Sequence, residues 1–260
     1  MALALAVVSA LLAVVLMRTV DPGPAKADDL LDWLFPTTTV KPPPPTTTTT
    51  TRPGPKPHVP VSTKLATPKG EITTFSAPNG KAVGKAGVWY GYRMTMPIIE
   101  ERGAWLRIRL PERPNGKTAW VRRQDVTTST SRYRIVLRLN VTKLILYKDG
   151  FPVHVLPVGI GKSSTPTPTG KFFLTVYERP DPHGYGPFTI FTSAHSEAIQ
   201  SWQGSGDALT ALHGPVSQKS ANQIGSTGTR ISNGCIRMHK ADLIKLDGIP
   251  PGTPVDINPS

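Results

Sequence analysis

A single cysteine, Cys235, stands in a chain of 260 residues, which excludes an internal disulfide and any metal site built on paired thiolates. Acidic residues are also scarce. Asp and Glu number 17 against 30 Lys and Arg, for a formal net charge of +13 and a pI of 10.0. That balance attracts polyanions. Nucleic acid is not the implied partner, because the basic residues are scattered and no nucleic-acid recognition motif occurs. Anionic cell-wall polymers fit the charge better. Long apolar runs are missing too: the longest, residues 2–17, has sixteen residues including one serine, short of the roughly 20 that span a bilayer.

That run reads as the apolar segment of a secretion signal occupying residues 1–27, with Ala25-Lys26-Ala27 as a small-x-small cleavage site before Asp28. No Lys or Arg precedes it, so retention as a membrane anchor stays open beside the expected cleavage. No cysteine lies near its end, which excludes lipid attachment there. An exported chain meets oxidising surroundings, where an unpaired thiol is a liability. Keeping Cys235 therefore points to a task for it.

Residues 28–35 combine acidic and apolar side chains in a pattern that suits a short amphipathic turn. The composition then changes to Pro and Thr, and 28–68 is expected to be an extended linker that gives reach to the domains beyond it. Residues 69–127 carry short alternating runs separated by Pro78-Asn79-Gly80, Arg102-Gly103 and Pro114-Asn115-Gly116, all turn signals. The Gly103-Ala104-Trp105-Leu106-x-Ile108 strand, followed by a hairpin and Ala119-Trp120-Val121, resembles the bacterial SH3-like domain. Trp105 and Trp120 are expected in its core. The expected fold class is mostly β: a small SH3-like β-barrel, then a β-rich domain over 132–258 with little helix.

In that second domain, Asp149-Gly150 between two β-prone runs signals a hairpin. Gly161-Lys162-Ser163 is not a phosphate loop, since Leu156 stands where that motif needs Gly and no helix pattern follows. Residues 179–210, rich in Gly, Pro, His and aromatics, read as a lid carrying Tyr185 and Trp202 toward substrate. A short helix is expected over 241–246 and a last strand over 254–257. The histidines show no His-Glu-x-x-His spacing, so no metal is assigned.

Cys235 lies in Ser232-Asn233-Gly234-Cys235-Ile236-Arg237, a polar setting that argues against inert packing, and His213-Gly214 precedes it by a loop's length. A nearby imidazole is expected to lower the thiol pKa by ion pairing. Catalytic roles are assigned to Cys235, His213 and Ser232, the last to orient the imidazole or line the pocket. Oxyanion stabilisation goes to the N–H groups of Gly234 and Asn233, with that of Cys235. Substrate contact goes to Arg237, Gly214, Tyr185 and Trp202.

These residues resemble the L,D-transpeptidases of bacterial cell walls, whose motif is His-Gly, a loop, then Ser-His-Gly-Cys, an apolar residue and often Arg. The match departs at Asn233, where the family usually carries His, and extends over roughly 132–258. The resemblance implies a cysteine transpeptidase acting on peptidoglycan stem peptides, without metal or organic cofactor, and acylated by carbapenems. It also implies that the Thr-Pro-x-Gly loop, Thr167-Pro168-Thr169-Gly170, shapes the sheet near the active site. Two other readings are a Cys/His peptidoglycan peptidase, in which the cysteine comes first, and a non-catalytic wall-binding protein. Sortases share the order but place their Arg well downstream.

Overall fold

The strand content follows from short β-branched and aromatic runs broken by turn residues. A computed structural model describes residues 55–226 and 229–259; the expected signal, the 28–35 segment and most of the Pro/Thr tract lie outside the described residues. The first sheet is built from β1 (Thr63–Pro68), β2 (Ile72–Phe75), β3 (Ala82–Ala86), β6 (Met96–Arg102), β7 (Trp105–Arg109), β8 (Thr118–Arg122) and β9 (Val126–Ser131), ordered β3-β2-β8-β7-β6-β1-β9. A separate hairpin, β4 (Val88–Trp89) with β5 (Tyr92–Arg93), projects between β3 and β6 in the chain.

One boundary is corrected. The linker expected to reach residue 68 ends earlier, because Thr63–Pro68 is an inner strand paired with both β6 and β9. Its Leu65 and Ala66 are buried, and burial of that apolar pair outweighs the Pro/Thr composition around it. Trp120 is in the core as expected, whereas Trp105 is half-buried and packs edge-on against Phe75 with ring centroids 5.1 Å apart.

The second sheet contains β10 (Tyr133–Arg138), β11 (Lys143–Lys148), β12 (Phe151–Pro157), β14 (Gly170–Glu178), β15 (Thr189–His195), β16 (Leu209–His213), β18 (Ile236–Arg237) and β19 (Pro254–Asn258), ordered β12-β11-β10-β19-β14-β15-β16-β18. Beside it, β13 (Ile160–Gly161) pairs in parallel with β17 (Arg230–Ser232). The β11–β12 hairpin turns at Asp149 (φ 54°) and Gly150 (φ 82°), the two left-handed residues a type I′ turn requires. Among the described residues, helix is confined to α1 (Gln218–Gln223), α2 (Lys240–Leu243) and short 3₁₀ turns such as Ile244–Leu246. The chain is therefore mostly β, as expected. Among the described residues no helix is long and apolar enough to cross a membrane.

The Phe172-Phe173-Leu174 run of β14 is buried on both faces. Phe172 and Leu174 join the core of the second sheet, while Phe173 joins the core of the first. A continuous apolar run in place of alternation is what two-sided burial demands. The two sheets therefore share a strand's side chains, and the described residues belong to one compact unit.

The lid reading of 179–210 is also corrected. Residues Thr189–His195 form a buried strand between β14 and β16, leaving two separate loops, 179–188 and 196–208. Thr-Ile-Phe-Thr is β-prone, and its pairing on both edges overrides the glycine-rich surroundings.

Candidate active site

Parallel pairing of β16 with β18 sets Leu212 opposite Ile236 and His213 opposite Arg237. Leu212 and Ile236 are fully buried in the core. Alternation along each strand then turns His213, Cys235 and Arg237 to the other face. There they line a cleft of about 250 Å³ together with Tyr185, Trp202, Ser232 and Asn233. Residues distant in the chain are thus gathered by one two-strand register.

The His213 ring is held by a single local bond. Its Nδ1 lies 2.7 Å from the Gly214 carbonyl oxygen. A carbonyl only accepts, so Nδ1 carries the hydrogen and Nε2 is left with a free lone pair. Tyr185 packs on the ring at 5.2 Å, and His183 stacks on Tyr185 at 5.4 Å. Gly214, assigned by sequence to substrate contact, is instead buried, and a Cβ placed on it would sit 1.6 Å from the Tyr185 carbonyl oxygen. Only glycine permits that approach, so Gly214 positions the His213 and Tyr185 rings.

The ion pair expected between thiol and imidazole is not the resting state. Burial pushes the His213 pKa down to about 4, with the Gly214 bond opposing it. Burial likewise pushes the Cys235 thiol up, against a hydrogen bond to the Ala211 backbone and the Arg237 charge. Both shifts favour neutral forms. The pair rests as thiol and imidazole, with Sγ 4.0 Å from the Leu209 carbonyl oxygen.

Ser232 lines the cleft, one of its two expected roles, whereas Gly234 differs from expectation. The Ser232 hydroxyl donates to the Cys235 carbonyl at 2.6 Å and accepts the Gly234 N–H at 3.1 Å. Gly234 N–H is therefore already engaged, and its oxyanion role is withdrawn. Ser232 braces the turn that presents the thiol, and no bond joins it to the imidazole among the described residues. The N–H groups of Asn233 and Cys235 have no acceptor among the described residues. Gly234 itself adopts φ 123°, a conformation that favours glycine.

Thr167 was not singled out by sequence, although its loop was. Buried at 3% exposure, it accepts the Gly161 N–H at 2.9 Å and donates to the Gly234 carbonyl at 2.7 Å. The Lys162 N–H and the Thr165 hydroxyl both reach the Ser232 carbonyl, at 2.9 and 3.4 Å. The 165–170 loop thus holds the cysteine turn from behind. The signal that leads to it is the Thr-Pro-x-Pro-x-Gly run, whose prolines leave few backbone donors and put the bonding on threonine.

Arg237 is half-buried, its Nε has no partner, and burial lowers its pKa. No carboxylate pairs with it among the described residues. A desolvated guanidinium without a counter-ion suits an arriving carboxylate. Trp202, 47% exposed, stands on the cleft's rim.

The family model for the L,D-transpeptidase catalytic domain, YkuD, matches residues 132–257. The YkuD protein of Bacillus licheniformis is 35% identical over 131 residues, which cover 50% of this chain and 68% of that one. The YkuD protein of Bacillus subtilis is 32% identical over 130 residues, with the same two coverages of 50% and 68%. Among solved structures, an L,D-transpeptidase from Mycobacterium smegmatis aligns over 59% of this chain and 90% of its own at 13% identity and a TM-score of 0.37.

Proposed function

Since the chain belongs to the L,D-transpeptidase family, we propose that it crosslinks peptidoglycan through a thioester on Cys235. The observation that carries this reading is the shared face of β16 and β18, on which His213 and Cys235 line one cleft with Nε2 of the imidazole unoccupied.

The donor is a tetrapeptide stem. Cys235 Sγ attacks the carbonyl of its third residue while His213 Nε2 takes the thiol proton, so charge develops only as the bond forms. The Cys235 and Asn233 N–H groups receive the oxyanion, an effect of about 3 kcal/mol per donor in related acyl transfers. The C–N bond to the terminal D-alanine breaks, and His213 returns its proton to the leaving amine. An acceptor amine, typically a diaminopimelate side chain, then attacks the thioester and expels the thiol. Arg237 holds a substrate carboxylate, and Tyr185 and Trp202 flank the peptide. The residues doing this chemistry belong to the chain itself, and carbapenems are proposed to acylate the same sulfur.

Export is part of this reading, supported by the apolar run 2–17 and the charge of +13, which suits anionic wall polymers. The SH3-like reading of the first sheet likewise remains a proposal, with a positioning role in the wall. Intact-mass analysis of the full chain with a carbapenem or a tetrapeptide muropeptide tests the mechanism. An adduct on wild type and none on Cys235→Ser is expected. An adduct that persists on Cys235→Ser, or none on wild type, overturns it.

A further inference from the structure

The cleft at Cys235 does not end at Trp202. It continues into a second cavity of about 400 Å³. Glu178, Phe191, Trp202, Gln203 and Leu209 line both spaces. The far wall of the second space comes from the first sheet's hairpin, through Trp89, Tyr90 and Tyr92.

The distribution of exposed aromatics singles this cavity out. Among the described residues, three of the exposed large hydrophobic side chains are aromatic: Tyr90 at 56%, Tyr92 at 50% and Trp202 at 47%. All three line this one cavity. Each ring leaves about half its surface in water, against the usual tendency of apolar area to be covered. Two of the lining residues also hold unfavourable backbone conformations for their size, Tyr90 at φ 47° and Gln203 at φ 50°. Fixed partners keep the wall in place. Trp89 packs against Tyr90 at 4.8 Å, and the Tyr90 hydroxyl donates to Asp207 at 3.3 Å. Asp207 is in turn bonded by Arg113 at 2.9 Å and by His195 at 2.8 Å.

We propose that this cavity is a glycan subsite, which takes the saccharide joined to the stem peptide lying at Cys235. The inference rests on the transpeptidase reading above. Half-exposed rings supply the flat apolar faces on which the C–H face of a pyranose packs. The Glu178 carboxylate accepts from sugar hydroxyls, and the Gln203 amide both donates and accepts. A second stem peptide suits the wall less well, because its carboxylates would meet that of Glu178. Three extended residues, roughly 10 Å, separate the reacting carbonyl from the saccharide, so the saccharide is to be sought in an adjoining space, and this cavity is the one that shares lining residues with the cleft.

The test uses the full chain carrying Cys235→Ala, so that binding is read without turnover. Calorimetric titration compares a bare tetrapeptide with the same tetrapeptide bearing its disaccharide. The glycopeptide is expected to bind at least about tenfold more tightly, the gain two stacked rings supply. Adding Tyr90→Ala with Tyr92→Ala removes that gain, whereas Tyr90→Phe with Tyr92→Phe, which keeps the rings, preserves it. Equal affinities for the two ligands overturn the subsite, as does a gain that survives the alanine pair. Weakened binding of the bare tetrapeptide in the alanine pair overturns it too, since the groove would then belong to peptide. Failure of the wild-type chain to form a thioester with the tetrapeptide is a different result, and it overturns the transpeptidase reading instead.

Discussion

Asn115 pairs with the backbone of His195 in both directions: its Nδ2 donates to the His195 carbonyl at 2.8 Å, and its Oδ1 accepts the His195 N–H at 2.9 Å. One amide side chain from the first sheet thus completes the hydrogen bonding of a strand end in the second. Asn115→Ala leaves a buried donor and acceptor without partners, which costs about 1–3 kcal/mol for each buried group so stranded. Urea unfolding of the full chain is expected to show that loss. Stability equal to wild type would mean that the clamp contributes nothing.

The neutral resting pair predicts how the thiol reacts with pH. A thiolate held by imidazolium alkylates at a rate that levels off below neutrality. Here burial raises the Cys235 pKa and lowers that of His213 to about 4. The rate of iodoacetamide labelling is therefore expected to keep rising through pH 9. A plateau between pH 6 and 8 would restore the ion pair.

The His213 shift also acts on stability, and its sign is fixed. The folded pKa of about 4 lies below the ordinary 6.5, so the unfolded chain binds more protons between those values. Stability is complete above pH 6.5 and is lost as pH falls toward 4, by about 3 kcal/mol. His213→Gln carries no such proton. Unfolding free energies at pH 7 and pH 4 are expected to differ more for wild type than for His213→Gln by that amount.

Gly214→Ala tests the close approach beside His213. Its Cβ would fall 1.6 Å from the Tyr185 carbonyl oxygen, so the 179–188 loop must move. Displacing Tyr185 frees the His213 ring it packs on, and misplacement of about 1 Å costs on the order of a hundredfold in rate. Carbapenem acylation slowed to that extent, with global unfolding little changed, is the expected outcome. Unaltered acylation would remove Gly214 from the positioning of His213.

Thr167→Val keeps the shape of the side chain and deletes both of its bonds, to the Gly161 N–H and the Gly234 carbonyl. A loss of about 1–3 kcal/mol in stability is expected, with slower adduct formation as the cysteine turn loosens. Thr167→Ser, which keeps the hydroxyl, is expected to recover both.

Local signals were legible where one residue type has one physical use. Asp149-Gly150 marks its hairpin because both positions need positive φ. Cys235 and His213 stand out because an unpaired thiol among polar residues has no packing purpose. The same logic placed Asn115 correctly in the turn between β7 and β8, but nothing local shows that its amide reaches a strand eighty positions away. It misread Thr63–Pro68, whose composition continues the linker while its Leu65 and Ala66 belong to a core.

By itself the chain determined which side chains are candidates for the chemistry, the β-rich class and the order in which His213 and Cys235 appear, because these depend on side-chain chemistry and on alternation between near neighbours. Tertiary structure alone decided the rest. It placed Phe173 in a second core, put the Gly234 N–H on Ser232 and joined a distant hairpin to the cleft. It also set the pair neutral, since a pKa answers to the solvent that packing removes, and no stretch of sequence carries that quantity.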